Sequence, residues 1–183
     1  MSDTIRSKQA DNEEILDLVD ENDIVIGRIG REEANSLTSS SKLKGYIRAS
    51  DMFLINDKGE FWVPKRTPHK RLFPNGLDFS VGGHVESGED YLTTVLRETE
   101  EEINLKLQPE DVTLVDVQRI DENRYFNALY ILMTNKTPDF NPDDFVSAEW
   151  LTPQALLKMI EEGVPAKTNI KLAVKRILES GIK

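Results

Sequence analysis

Glu98, Glu101 and Glu102 crowd into one short stretch, Arg97-Glu98-Thr99-Glu100-Glu101-Glu102, and they are the residues here best suited to chemistry. On an α-helix, at ~100° per residue, their side chains leave within an arc of roughly 100°. Carboxylates this close repel, by a few tenths of a kcal/mol per like-charged i,i+4 pair. A divalent cation removes the conflict. Hard Mg²⁺ or Mn²⁺ prefers carboxylate oxygens and keeps positions open for water and phosphate. Arg97, four residues before Glu101, can pair with that carboxylate and hold its direction. The plainer alternative is a solvated acidic helix face, where a bare E-x-x-E-E pattern more often belongs.

Those acids need a helix and a floor beneath it. Leu92, Val95, Leu96, Thr99 and Ile103 recur at helical spacing and make its buried face. Ser87 is the expected N-cap, Glu89 and Asp90 suit the positive helix start, and Asn104 is a plausible left-handed stop. Just upstream, Leu77 to Val81 reads as a short strand that delivers Gly82 and Gly83 into a loop.

The remaining elements follow from turn signals and periodicity. Ile15–Val19 and Ile24–Ile29 flank Asp20-Glu21-Asn22-Asp23 as a hairpin. Arg31–Ser36 is a helical turn, and Leu37–Ser41 a polar connector. Tyr46–Ile55 and Glu60–Pro64 flank a second turn at Asn56-Asp57-Lys58-Gly59. Val112–Ile120 pairs with Tyr125–Met133, and Ser147–Leu151 is a short strand. Thr152 caps a helix with Pro153 at its first position, ending near Glu162 and Gly163, and Asn169–Glu179 forms the last helix. Residues 1–12 read as a loose tail and 13–183 as one domain: a hairpin and connector over 13–42, and a core over about 43–183.

Bulk composition narrows the partners. A net charge of −10 in 183 residues argues against a nucleic-acid coat or a membrane-surface role. With 38% hydrophobic residues the chain has enough for one real core. The absence of cysteine excludes disulfides, thiolate metal sites and a cysteine nucleophile. The first dozen residues carry no apolar signal region, so a soluble cytoplasmic protein is expected. A homodimer through the N-terminal hairpin is compatible with the sequence.

The spacing over the whole acidic segment is more specific than any single residue. It reads Gly83, five residues, Glu89, seven residues, then Arg97-Glu98-x-x-Glu101-Glu102. This resembles the signature box of the Nudix hydrolases, with Thr99 where that family prefers an aliphatic residue and Asn104 where it has glycine. The resemblance implies an α/β fold, a Nudix-type α/β/α sandwich with a mixed sheet, here with an N-terminal β-hairpin extension. It also implies metal-dependent hydrolysis of a diphosphate linkage in a nucleoside diphosphate-X or a related organic pyrophosphate, a small-molecule substrate. By carry-over, Glu98, Glu101 and Glu102 are metal ligands, with Glu89 and the carbonyl of Gly82 as further candidates, and Mg²⁺ or Mn²⁺ as the ion. Arg97 orients the glutamates. Glu101 or Glu102 serves as the base, with Glu149 as an alternative outside the box.

Lys65 and Arg66 are the favoured substrate-phosphate contacts, followed by His69, Lys70 and Arg71, for which a solvated basic loop is an equal reading. Phe73, Tyr125, Phe126 and Trp150 can stack on a ring or pack in the core. His84 is a candidate ligand, though a lone histidine is more often structural. Beyond the box, Lys65-Arg66, Phe73-Pro74 and Asp78 to Glu89 look like the subgroup related to isopentenyl-diphosphate isomerase. Such an isomerase needs a cysteine acid and a histidine cluster. Gly82 stands at the cysteine position, and only His69 and His84 are present. An isomerase is therefore the alternative enzyme, and a non-catalytic nucleotide-binding module the alternative outside catalysis.

Overall fold

The structure, a computed structural model, describes residues 13–39 and 42–182. The expected tail over 1–12 and part of the expected connector lie outside them. In chain order the strands and helices are β1 (Ile15–Val19), β2 (Val25–Gly30), α1 (Arg31–Ser39), β3 (Ile47–Ile55), β4 (Phe61–Arg66), β5 (Val81–His84), α2 (Tyr91–Ile103), β6 (Thr113–Ile120), β7 (Tyr125–Met133), β8 (Phe145–Leu151), α3 (Pro153–Glu161) and α4 (Ile170–Ser180).

Alternation along the central strands sorts the core into two layers. Met52 and Leu54 of β3, with Ala128, Tyr130 and Leu132 of β7, pack under Val95 and Ile103 of α2. Phe53 and Ile55, with Leu129 and Ile131, face Leu156 of α3 and Ile170, Ala173, Val174 and Ile177 of α4. Full burial of a residue such as Val95 or Ile103 contributes about 1.5–3 kcal/mol, so these contacts fix which side of α2 faces inward. The result is the α/β/α sandwich the sequence predicts.

The sheet is mixed. Its strand order is β6-β7-β3-β4-β8, with β5 also pairing β3. β3 runs parallel to β7, and the other pairings are antiparallel. β3 and β4 do not form the expected full hairpin. They pair only at Ile55 and Phe61 beside the turn. β4 then leaves to pair with β8, while Met52 to Ala49 of β3 take Val81 to His84 of β5. Ser80 bridges the fork, accepting from the Leu54 N–H at 2.9 Å and donating to the Trp62 carbonyl. The cleft described below lies beside this divergence.

Three local expectations are corrected. Leu77 to Ser80 are not strand residues, and the regular pairing runs through Gly82 and Gly83 rather than ending before them. Asp90, not Ser87, caps α2, accepting from the Thr93 N–H at 2.7 Å, while the Ser87 hydroxyl donates to Asp17 at 2.7 Å. α1 runs to Ser39, well past a single turn. Asn104 does end α2 in the left-handed conformation, with φ of 52°. The N-terminal hairpin forms its own sheet and joins the body through Leu16, Ala34, Leu43 and Ile47.

Candidate active site

α2 presents its acids to a cleft of about 730 Å³ between the β3–β5 floor, the loop before α4 and the N-terminal hairpin. Gly82, Gly83, Glu98, Glu101, Glu102 and Arg97 all line it. The glycines explain how the helix comes so close. A Cβ on Gly83 would stand 1.9 Å from Glu98 Oε1, and one on Gly82 would stand 2.2 Å from Asp51 Oδ1. The floor must be bare there for the carboxylates to lie against it. Thr99 suits its buried position because its hydroxyl donates to the Val95 carbonyl at 2.6 Å, leaving no unpaired polar atom.

Arg97 organises the acids. Its Nε and Nη2 donate to the two oxygens of Glu89 at 3.0 and 3.1 Å, and its Nη1 reaches Glu98 at 2.9 Å and Glu101 at 3.3 Å. These acceptors, with burial working against them, hold the guanidinium pKa above its ordinary value. Glu89 also accepts from the Thr94 hydroxyl at 2.7 Å. Burial alone would raise the Glu89 pKa, but the Arg97 and Thr94 hydrogen bonds hold it below the usual range. Glu89 is not among the cleft-lining residues. It anchors Arg97, as an outer-shell acid would.

Glu98 and Glu102 behave differently. Burial pushes the Glu98 carboxyl up despite Arg97. Burial, then the charges of Glu98 and Asp78, push Glu102 well above the carboxylate range, even though it accepts from the Gly82 N–H at 3.0 Å. Burial opposes the charge of these two acids one helical turn apart, even with Arg97 bonded to Glu98, and their hard oxygens suit Mg²⁺ or Mn²⁺. Among the described residues no three His, Cys, Asp or Glu side chains already converge as a cage. That fits a small cation held by one or two carboxylates, its waters and substrate phosphate rather than by protein alone.

His84 lines the cleft beside these acids. Burial, and then the charges of Arg31 and Lys167, push its pKa down to about 3, so the ring is neutral at pH 7. Its Nε2 lies 2.9 Å from the Tyr125 hydroxyl.

Several sequence-derived candidates lie elsewhere. Lys65 is exposed on β4 opposite Ser147 and does not line the cleft. Arg66 lines the cleft but is committed to Asp78 and to the Leu72 carbonyl at 3.0 Å. Lys70 lines it too, paired with Asp144. His69 is exposed, and Arg71 pairs with Glu32 at 3.6 Å; both are outside. Glu149 sits exposed on β8 opposite Val63, outside the cleft lining. Phe73 and Tyr125 reach the cleft, whereas Phe126 is core and Trp150 packs near it, donating to Thr137 at 3.0 Å.

Sequence reasoning missed Asp51, Lys167 and Asn127 on the floor, and Glu14 and Arg31 on the hairpin side. Asp51 was visible only as an acid in an otherwise apolar run, Met52 to Ile55 following it in the central strand. A polar residue there had to find buried partners.

Comparison with known proteins gives concordant results. The NUDIX domain model matches residues 45–171. The Uncharacterized Nudix hydrolase all7351 of Nostoc is 38% identical over 161 residues, covering 86% of this chain and 91% of that protein. A Nudix hydrolase of Deinococcus radiodurans is 38% identical over 176 residues, covering 90% and 94%. The crystal structure of DR0079 from Deinococcus radiodurans superimposes with a TM-score of 0.75 at 38% identity, covering 89% of this chain and 98% of that one. A MutT protein from Methanosarcina mazei shares the fold, with a TM-score of 0.61 at 18% identity, 76% of this chain and 98% of that one.

Proposed function

Because the chain belongs to the NUDIX family and is a Nudix-type pyrophosphohydrolase, we propose that it cleaves the diphosphate linkage of a nucleoside diphosphate-X or a related organic pyrophosphate with Mg²⁺ or Mn²⁺. The observation that supports this most directly is the pair Glu98 and Glu102, set against bare glycines and raised in pKa by burial.

Glu98 and Glu102 would hold the ion. Bound there, a divalent cation neutralises phosphate charge and acidifies water. The chain's own residues do the rest. Arg97, anchored on Glu89, keeps Glu98 and Glu101 aimed at the cleft. Glu101, with its side chain 57% exposed, is the acid left to take the proton of the attacking water. His84 is neutral and acts as a hydrogen-bonding wall with Tyr125. The carbon-protonating acid of the isomerase alternative has no side chain to supply it, since Gly82 stands at that position and the chain has no cysteine.

The test is to incubate the protein with Mg²⁺ or Mn²⁺ and a panel of nucleoside triphosphates, dinucleotides, sugar nucleotides and isoprenoid diphosphates. Metal-dependent release of phosphate, pyrophosphate or a nucleoside monophosphate is expected. A double-bond shift without phosphate release would replace the proposal with the isomerase, and tight binding without turnover would replace it with a binding module.

A further inference from the structure

Arg31, Arg66, Lys70, Arg97 and Lys167 are the cations lining the cleft among the described residues. Four are committed to close partners. Arg97 spans Glu89, Glu98 and Glu101; Arg66 is held by Asp78, Lys70 by Asp144 and Arg31 by Glu14. Lys167 is different. Its ammonium lies 3.4 Å from both Asp51 and Asp78, at the loose end of hydrogen-bond range. An ammonium has three donors, so two long carboxylate contacts leave one with no oxygen partner, beside the Phe79 ring 5.3 Å away. It also lies next to the acidic helix. A Cβ on Gly82 would be 3.2 Å from Lys167 Nζ, and the N–H of that same glycine binds Glu102.

Behind Lys167 runs a buried polar chain that no catalytic step above uses. Asp51 Oδ2 accepts from Asn127 Nδ2 at 2.7 Å, and Asn127 Oδ1 accepts from Arg176 Nη1 at 2.6 Å. Arg176 of α4 donates further to the Asn127 carbonyl at 3.1 Å and, through Nε, to Asp116 at 2.8 Å. Asp51, Asn127 and Arg176 are each at most 5% exposed. The direction of the chain is forced by chemistry. Arg176 can only donate, so it takes the oxygen end of the Asn127 amide. The amide must then turn its NH₂ toward Asp51, whose other oxygen, Oδ1, faces Lys167.

We propose that Lys167 is the ammonium that binds a substrate phosphate oxygen, and that Arg176 is a positioning residue acting on it through Asn127 and Asp51. The inference rests on the reading that the cleft takes a diphosphate, and it names which cation holds it. Asp51 and Asp78 offset the charge of Lys167 at rest and keep it near the floor, while the N–H that has only the Phe79 ring beside it turns to the anion.

The experiment is titration of the full chain with imidodiphosphate, a non-hydrolysable diphosphate analogue, at saturating Mg²⁺. Lys167→Met leaves the loop backbone intact, since the Lys167 N–H still reaches the Leu77 carbonyl at 2.9 Å. The double variant Asp51→Asn/Lys167→Met removes both charges together and avoids a stranded carboxylate. Both variants should bind imidodiphosphate at least about tenfold more weakly, the usual worth of a charge-assisted hydrogen bond, with Mg²⁺ affinity not weakened. Lys167→Arg should recover part of the loss. Arg176→Lys, which keeps the charge beside Asp116 and loses the fork, should weaken imidodiphosphate but not Mg²⁺ binding.

Wild-type imidodiphosphate affinity in both Lys167→Met variants overturns the assignment, and wild-type affinity in Arg176→Lys overturns the positioning role. A wild-type protein that binds imidodiphosphate through Lys167 yet turns over no panel substrate supports the inference while removing the hydrolase reading.

Discussion

Glu102 is asked to do two things that conflict. As a ligand it must be ionised, yet burial and its neighbours Glu98 and Asp78 oppose that charge. The glutamine variant keeps an oxygen for the Gly82 N–H at 3.0 Å and discards the charge. Glu102→Gln should therefore melt higher than wild type without metal, by a few degrees for a gain of about 1 kcal/mol in a chain of this size. The same substitution should cut turnover by at least about two orders of magnitude, and so should Glu98→Gln, with circular dichroism unchanged. Near-wild-type rates in both would remove the metal assignment, and a lower metal-free melting temperature for Glu102→Gln would show that its charge is not a burden. The acids were legible in the sequence because one helix turn places them, and helical periodicity is a local property. Lys167 and Asp51 are 116 positions apart, and neither belongs to a spaced motif, so only tertiary contact discloses them.

A strand and a helix make the site jointly, and Gly83 is where they touch. It pairs with Ser50 in regular β-geometry, so its φ is ordinary and what matters is space. Gly83→Ala puts a methyl where the Glu98 carboxylate lies, 1.9 Å from Oε1. The intruded atoms are the far end of a flexible side chain, so Glu98 moves and the sheet does not. We expect unchanged secondary structure, melting within a few degrees of wild type, and turnover reduced by about tenfold or more through a misaimed ligand. Wild-type kinetics in that variant would mean that the resting position of Glu98 is irrelevant to catalysis. The same contact explains why the strand was misplaced from sequence. Val81 alone is apolar in β5, and glycines signal turns, so local propensity ends the strand before Gly82. Pairing with the buried β3 overrides that preference. Ser87 fails as the cap for a similar reason. It is a good capping residue, but it is drawn away by Asp17, which lies 70 positions earlier.

At the scale of the whole molecule, the N-terminal hairpin is legible as a hairpin, but its purpose is not, because its partners are distant in sequence. Residues before 45 lie outside the matched family domain, yet they grip the segment leading into α2. The Ser87 N–H donates to the Ile15 carbonyl at 2.7 Å, and its hydroxyl to Asp17 at the same distance. Asp23, in the hairpin turn, accepts from the Tyr91 hydroxyl at 2.9 Å and from Arg48 Nε at 2.6 Å. The start of the acidic helix is therefore held from outside the domain common to the family. If the Asp17–Ser87 bond carries that hold, Asp17→Asn and Ser87→Ala should not be independent. Asp17 is only 7% exposed, and hydrogen bonds to buried charges are worth about 1.5–3 kcal/mol, so a double-mutant cycle by urea unfolding should give a coupling of about 1 kcal/mol or more. Each single variant should also speed amide exchange at Ser87 to Glu89 and raise the Mg²⁺ concentration needed for half-maximal activity, because the helix start is less well held. Additive stabilities, with exchange at that loop unchanged, would leave the hairpin as a covering for Ile47 and its neighbours, with no part in aiming the glutamates.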